Sequence, residues 1–247
     1  VFMGLSVGAN VVIAHFYGAN SKSDVFETVH TAIAMAGVCG VFLLVLGFFV
    51  SEPALSMMDT PAEILPYSTR YMQVYFIGVP MMLLYNFGAA ILRAVGDTQR
   101  PLFFLIIAGI INVILNVFFV KYLGLGVVGV ALATVISEAI SAVLVLRALI
   151  MNDGIVKLNL RSIRIYRDKA SRIARIGLPA GFQGAIFSIS NVLIQSSVNS
   201  FGAVAVAGNT ASMSLEGFVY NAMNSFHQTA VSFTGQNMGA RKYDRVK

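Results

Sequence analysis

The sequence predicts an all-α polytopic membrane protein with about seven transmembrane helices. Three observations carry this. Hydrophobic side chains make up 57% of the 247 residues and charged ones 11%, with a mean hydropathy of +0.78; a soluble domain holds about 45–50% apolar and about 25% charged residues. The apolar residues run in continuous blocks long enough to cross a hydrocarbon core, which takes roughly 20 residues per helix, and do not follow a one-faced amphipathic period. Most of the 17 Lys and Arg fall in alternate gaps between those blocks.

In chain order the blocks are 1–17, 29–50, 67–92, 102–120, 127–150, 173–201 and 204–234. The first ends at Gly18-Ala19, ahead of the charged run Lys22, Asp24 and Glu27, and the second stops before the acidic segment holding Glu52, Asp59 and Glu63. The third contains Pro80 and the fourth Gly109. Both are tolerated in a membrane, where neighbouring helices satisfy the backbone groups they free. The fifth follows Gly124 and ends at a long polar stretch, 151–172, and the sixth carries Pro179, a kink or helix start and a possible hinge. The seventh closes on Gly239-Ala240, ahead of the basic tail Arg241, Lys242, Arg245 and Lys247.

Lys and Arg follow the first, third, fifth and seventh blocks, and only Arg70 and Lys121 lie on the opposite side. The positive-inside rule therefore places the linker and the C-terminal end in the cytoplasm of a cell whose inner membrane holds the chain, with Val1 outside. A chain that opens mid-block at Val1 predicts at least one preceding helix, and thus a fragment. The linker interleaves Leu158, Leu160, Ile163, Ile165 and Tyr166 with Lys157, Arg161, Arg164, Arg167, Lys169 and Arg172. Such a segment suits either an anionic leaflet or solvent. The net charge of +6 does not point to nucleic acid, since no recognition fold accompanies it. Cys39 stands alone in an apolar block, as a packing residue. With one Cys and three His there is no zinc spacing or redox pair, so no enzyme and no cofactor is expected.

A faint internal repeat appears at an offset of 221: Gly18/Gly239, Ala19/Ala240 and Val25/Val246 match, and Ala9/Ala230 extends the pairing. Each copy closes an apolar helix with Gly-Ala and then charge, as two parallel lobes would. The pairs Gly4/Gly8, Gly177/Gly181 and Gly235/Gly239 are small-xxx-small spacings for close helix packing.

These turns, with ILRAVGDTQRPLFF over 91–104 and NVILN over 112–116, resemble the multidrug and toxic compound extrusion (MATE) family of bacterial transporters. Arg93, Gly96, Asp97, Thr98 and Pro101 match that family's Arg-x-x-Gly-Asp-Thr-x-x-Pro cytoplasmic turn, and Pro179 sits in IGLPAGFQ, similar to its seventh helix. The resemblance implies helices two to eight of a twelve-helix, two-lobe transporter: 1–150 from the first lobe, 151–172 a basic cytoplasmic linker, and 173–247 the first two helices of the second lobe. It implies a monomeric antiporter exporting amphipathic or cationic compounds, driven by Na⁺ or H⁺ through alternating access, with membrane lipid as its surroundings. A lipid-linked saccharide flippase of the same superfamily is the alternative, followed by a seven-helix receptor.

Polar groups inside spans are candidates for coupling because a charge there costs about 2.5–3.5 kcal/mol. Glu138 and Glu216 are the carboxylates that stand out. Thr134 lies one turn before Glu138, and Asn112 and Asn116 are one turn apart, which makes a four-residue oxygen cluster possible. The resemblance places Asn112, Asn116 and Thr134 in the family's first-lobe cation site, with Asn116 where the family has an Asp. An amide can ligate Na⁺ but takes up no proton. The family's helix-seven Glu has no counterpart near Phe187 and Ser188. Gln183, Asn191, Gln195 and Asn199 form a polar stripe at multiples of four on the sixth block, read as facing a substrate cleft. His227, His15 and His30 are weaker candidates, since a lone His is usually just hydrogen-bonded.

Overall fold

The computed structural model describes residues 2–57, 63–199 and 201–246, and among them it is helical with no strand. Its seven α-helices follow the seven apolar blocks: α1 Phe2–Gly18, α2 Lys22–Met57, α3 Leu65–Ala94, α4 Gln99–Val117, α5 Gly126–Ile150, α6 Arg167–Asn199 and α7 Ala203–Gly239. Five are long and apolar enough to cross a membrane. α1, at 17 residues, is a shorter apolar helix. α7 has the length, at 37 residues, but its Asn, Ser, Thr and Gln side chains keep its hydropathy low.

Local chemistry sets the ends. α1, α3 and α7 stop in the same way, with a residue in the left-handed region followed by a backbone N–H that reaches back five residues. For α1 the left-handed residue is Asn20 (φ 55°), with Ser21 N–H on the Phe16 carbonyl at 3.1 Å and Asn20 N–H on that of Tyr17 at 3.0 Å. For α7 it is Arg241 (φ 57°), with Lys242 bonding Asn237 at 2.9 Å and Arg241 bonding Met238 at 3.1 Å. α3 ends at Gly96 (φ +95°), with Asp97 bonding Leu92 and Gly96 bonding Arg93, both at 3.0 Å. α4 runs on into a π-helical turn, Phe118–Tyr122.

In the packing, α2 lies on α3, α3 on α5, and α5 on α4; α1 touches α2 and α3 on one side and α6 and α7 on the other. The core gathers Ile13, Leu83, Phe87, Ile91, Leu92 and Leu149. Large apolar side chains such as Phe42, Phe49, Phe103, Ile110 and Val113 point outward from α2 and α4, the distribution that lipid rather than water would solvate. Pro80 lies inside α3 and abuts Gly40 of α2, where a Cβ would come within 2.6 Å of the Pro80 Cα.

The expected linker over 151–172 is shorter: α6 begins at Arg167, so Lys169 and Arg172 are helical. The remainder is held against α2. Val156 and Leu158 are buried, Leu158 N–H bonds the Leu149 carbonyl at 3.0 Å, and Asn159 N–H donates to Nε2 of the buried His30 at 3.0 Å. His30 Nδ1 meets the Phe26 carbonyl at 2.7 Å, so the proton sits on Nδ1 and the ring is neutral. Tyr166 N–H donates to Thr31 Oγ1 at 3.1 Å. Lys169, almost wholly buried, bridges Asp24 at 2.5 Å, Asp168 at 2.9 Å and Glu27 at 3.4 Å, and lies over the Phe16 ring.

Candidate functional site

α1 can meet two helices at once because glycines remove the side chains between them. Gly4 and Gly8 of α1 lie against Gly177 and Gly181 of α6, backbone to backbone, so both expected small-residue pairs belong to one crossing. At the other end of α1, Gly18 faces the carbonyl of Gln236 and Gly239 faces the carbonyl of His15, while Gly235 abuts Ala14. At Gly18 and Gly239 a Cβ would collide with backbone, so the two helices cross at backbone contact distance. This explains the Gly18-Ala19 and Gly239-Ala240 pairs: each glycine serves the crossing, and the residue two further on takes the helix end.

Just inside this crossing lies a hydrogen-bonded tie. Asn10, 1% exposed, donates from Nδ2 to the Ala90 carbonyl of α3 at 3.1 Å and accepts from Ser232 of α7 at 3.1 Å. Gln236 of α7 donates to the Ala94 carbonyl of α3 at 2.7 Å. Three helices are therefore joined through two carbonyls near the end of α3.

Beside the tie, α7 faces α3 and α4 across a cleft of about 790 Å³. The α7 wall is a polar stripe at helical spacing, with Asn221, Ser225, Gln228, Ser232 and Gln236 along its centre. The other wall holds Tyr85, Arg93, Thr98 and Pro101, with Leu102 and Leu105 as its apolar part. Among the described residues no carboxylate lines the cleft, and the Arg93 Nε is buried without a partner. In the sequence the α6 stripe stands out and this one does not; its signal is the recurrence of Asn, Ser and Gln at three- and four-residue steps over 221–236.

The turn motif resolves into parts. Gly96 ends α3, Asp97 accepts from the Arg100 N–H at 3.2 Å and pairs with its guanidinium at 3.2 Å, and Pro101 occupies the first turn of α4, its carbonyl accepting from Tyr85 Oη at 3.0 Å. Thr98 and Arg93 face the cleft. The motif is thus a tight connector that presents two of its side chains to the cavity. Pro179 lies inside α6, twelve residues past its start, and leaves the Arg175 carbonyl without its usual helical donor.

On the far side of α4, Asn112 and Asn116 come together as expected. Asn116 Nδ2 donates to Asn112 Oδ1 at 2.9 Å and to its carbonyl at 3.0 Å, and Asn112 Nδ2 donates to Ser137 of α5 at 3.2 Å. Asn116 Oδ1 is buried and without a partner among the described residues. Ser137, buried and not foreseen, supplies the link to α5. Thr134 contributes through its backbone carbonyl, which accepts from Ser137 at 2.9 Å, while its hydroxyl turns back to Val130 at 3.1 Å. The Glu138 carboxylate lies beside Gly78 of α3, so it faces a different neighbour from Ser137. One residue apart on a helix is about 100° of rotation. The four-oxygen cluster is therefore divided between the α4–α5 and α3–α5 seams.

Glu216 and His227 are exposed on α7. Gln183 and Asn191 of α6 are exposed, and Gln195 accepts from Asn209 of α7 at 3.1 Å. The side chain of Asn199 lies outside the described residues. Glu216 is about 140° around the helix from Asn221, and it is not among the residues of the cleft wall.

The family model MatE matches residues 1–118 and 179–247, which covers α1 to α4 and most of α6 and all of α7. Among curated proteins, the chain is 27% identical over 244 residues to the probable multidrug resistance protein YpnP of Bacillus subtilis, covering 99% of the chain and 54% of that protein. It is 28% identical over 256 residues to the probable multidrug resistance protein YoeA of the same species, covering 99% and 54%. It is 26% identical over 251 residues to an FAD transporter of Shewanella oneidensis, covering 100% and 56%. Among solved structures it superposes on a crystal structure of MATE in complex with MaD5, with a TM-score of 0.90 at 24% identity, covering 100% of this chain and 56% of that one. An outward-facing multidrug resistance MATE transporter gives 0.86 at 23%, covering 99% and 55%. The chain spans about half the length of the curated relatives it matches.

Proposed function

Since the chain belongs to the MatE family, we propose that it acts in a secondary active antiporter of the cytoplasmic membrane that exports amphipathic compounds by alternating access. The relatives are transporters, named for multidrug resistance and for FAD transport. The observation that carries the reading is the cleft between α7 and the α3–α4 pair. Its walls combine amides and hydroxyls with apolar Leu102 and Leu105, which suits a molecule that is polar at one end and apolar at the other.

The backbone-tight crossing of α1 and α7 closes the cleft at the end where the basic loops lie, and the rocking of the two lobes in alternating access pivots there. Gln236 and Ser232 hold α7 to α3 and α1 in the closed arrangement. Opening requires those bonds to be exchanged for water or substrate, a swap of about 1 kcal/mol. The coupling ion is Na⁺ or H⁺. Asn116 Oδ1, with Asn112 beside it, offers an amide oxygen to Na⁺, while Glu138 and Glu216 are the groups able to carry a proton.

The test is efflux of a fluorescent organic cation from proteoliposomes under imposed Na⁺ or H⁺ gradients, for wild type, Glu138→Gln, Glu216→Gln and Gln228→Leu. Gradient-driven efflux that a carboxylate variant uncouples, and that Gln228→Leu slows with the gradient response intact, supports the reading. If nothing moves under either gradient while a lipid-linked saccharide is flipped, the antiporter assignment fails.

A further inference from the structure

We propose that a groove between α2, the end of α5 and the linker is a binding site for one anionic glycerophospholipid. The groove, about 760 Å³, is separate from the transport cleft. Its three cations come from two segments: Lys22 at the start of α2, and Lys157 and Arg161 on the linker. Phe26, Ile150 and Ile155 form its apolar part. No carboxylate is among the lining residues. Arg161 and Lys22 join no ion pair among the described residues, and Lys157 has only a loose contact to the fully exposed Asp153 at 3.8 Å.

The site is built rather than floppy. The linker segment carrying Lys157 and Arg161 is fixed by the buried Val156 and Leu158 and by the bond from Asn159 to His30, so the two cations are held at a set distance from α2. Nearby acids are already engaged: Asp24 and Glu27 are turned to Lys169. The groove thus presents a net positive mouth over an apolar floor. Leu160, Ile163 and Ile165, each more than a third exposed, extend that apolar surface along the linker.

Charge and position choose the occupant. A phosphodiester headgroup matches the three cations, and glycerol and the start of an acyl chain match Phe26, Ile150 and Ile155. With the basic loops on the cytoplasmic side, the mouth opens at the anionic leaflet, where basic pockets at helix ends hold such headgroups. A free phosphate would use the cations and leave the floor uncovered.

The experiment uses the full chain reconstituted in nanodiscs of phosphatidylcholine and phosphatidylglycerol with matched acyl chains, then released in mild detergent and weighed by native mass spectrometry. Wild type is expected to retain one phosphatidylglycerol in preference to phosphatidylcholine. Each cation removed (Lys22→Gln, Lys157→Gln, Arg161→Gln) lowers retention about fivefold, and the triple variant about a hundredfold. A control triple, Arg164→Gln, Arg241→Gln and Arg245→Gln, removes equal charge outside the groove and keeps the lipid. Inorganic phosphate at millimolar concentration leaves retention unchanged. Equal loss in the control, retention by the groove triple, or displacement by inorganic phosphate each overturns the site.

Discussion

Adding one methyl group at Gly239 tests whether α1 and α7 meet at backbone contact. A Cβ there enters the space of the His15 carbonyl, and one at Gly18 enters that of Gln236; in both cases the obstacle is backbone, which cannot rotate away. The helices must separate. Overpacking of this kind costs about 1–3 kcal/mol, and separation also strains the Gln236–Ala94 and Ser232–Asn10 bonds, at about 0.6 kcal/mol each. Each single variant should therefore lose roughly 2–4 kcal/mol in reversible unfolding in mixed micelles. Because the same outward shift relieves both collisions, Gly18→Ala/Gly239→Ala should lose much less than the sum of the singles. Gly109→Ala, on α4 with open space around it, is the control and should be neutral or up to about 1 kcal/mol stabilising. Singles as stable as wild type, or a strictly additive double, would show that the crossing is not shared backbone contact.

Other seams give further tests. Asn10→Ala removes the donor to Ala90 and the acceptor for Ser232, and should cost about 1 kcal/mol in the same unfolding assay, with Ser232→Ala adding little on top of it. Lys169→Gln leaves Asp24, Glu27 and Asp168 facing one another; with those carboxylates a third or more exposed to water on average, the loss should be about 1–3 kcal/mol, below the figure for a fully buried pair, and largely suppressed in high salt. His30→Phe fills the same space but offers no acceptor, so the Asn159 amide should exchange with deuterium at least tenfold faster while α2 beyond it stays protected. Asn116→Asp puts a titratable carboxylate beside Asn112, and transport by that variant should gain a pH dependence across the carboxylate range that the wild type, with an amide there, does not show in that range.

The seven helices were legible because apolar length is a one-dimensional property, visible without knowing neighbours. Small residues at four-residue spacing likewise announced close packing, and Gly4/Gly8 did meet Gly177/Gly181. What a single sequence does not show is which face of a helix meets which partner. Thr134 and Glu138 share a face with each other, but only the packing of α3 against α5 reveals that the Glu138 carboxylate sits by Gly78 while Ser137 reaches Asn112. The α7 stripe was overlooked for a related reason. Asn, Ser and Gln are spread all around α7, and the row at Asn221, Ser225, Gln228, Ser232 and Gln236 becomes distinct only when α3 and α4 stand opposite it. His30 read as a minor candidate because its role depends on a backbone N–H 129 residues away.

The offset of 221, faint as sequence, is strong as geometry. The left-handed residues that end α1 and α7, Asn20 and Arg241, differ by 221, and so do the donors and acceptors of the two turns. Gly18 contacts residue 236 and Gly239 contacts residue 15, an exchange that holds only when the two helices are related by a two-fold axis. Ala14 and Gly235, also 221 apart, touch each other and mark where that axis passes. The relation extends to the cavities. Ser232, Phe233 and Gln236 line the cleft against α3 and α4, and their equivalents Val11, Val12 and His15 line a groove of about 740 Å³ between α1, α6 and α7. Identical side chains were not needed to keep this arrangement, since a two-fold backbone contact constrains only the absence of Cβ atoms and the sign of φ at the helix ends. That is why four identities in the sequence sufficed to preserve it while the side chains on the two faces of the crossing diverged.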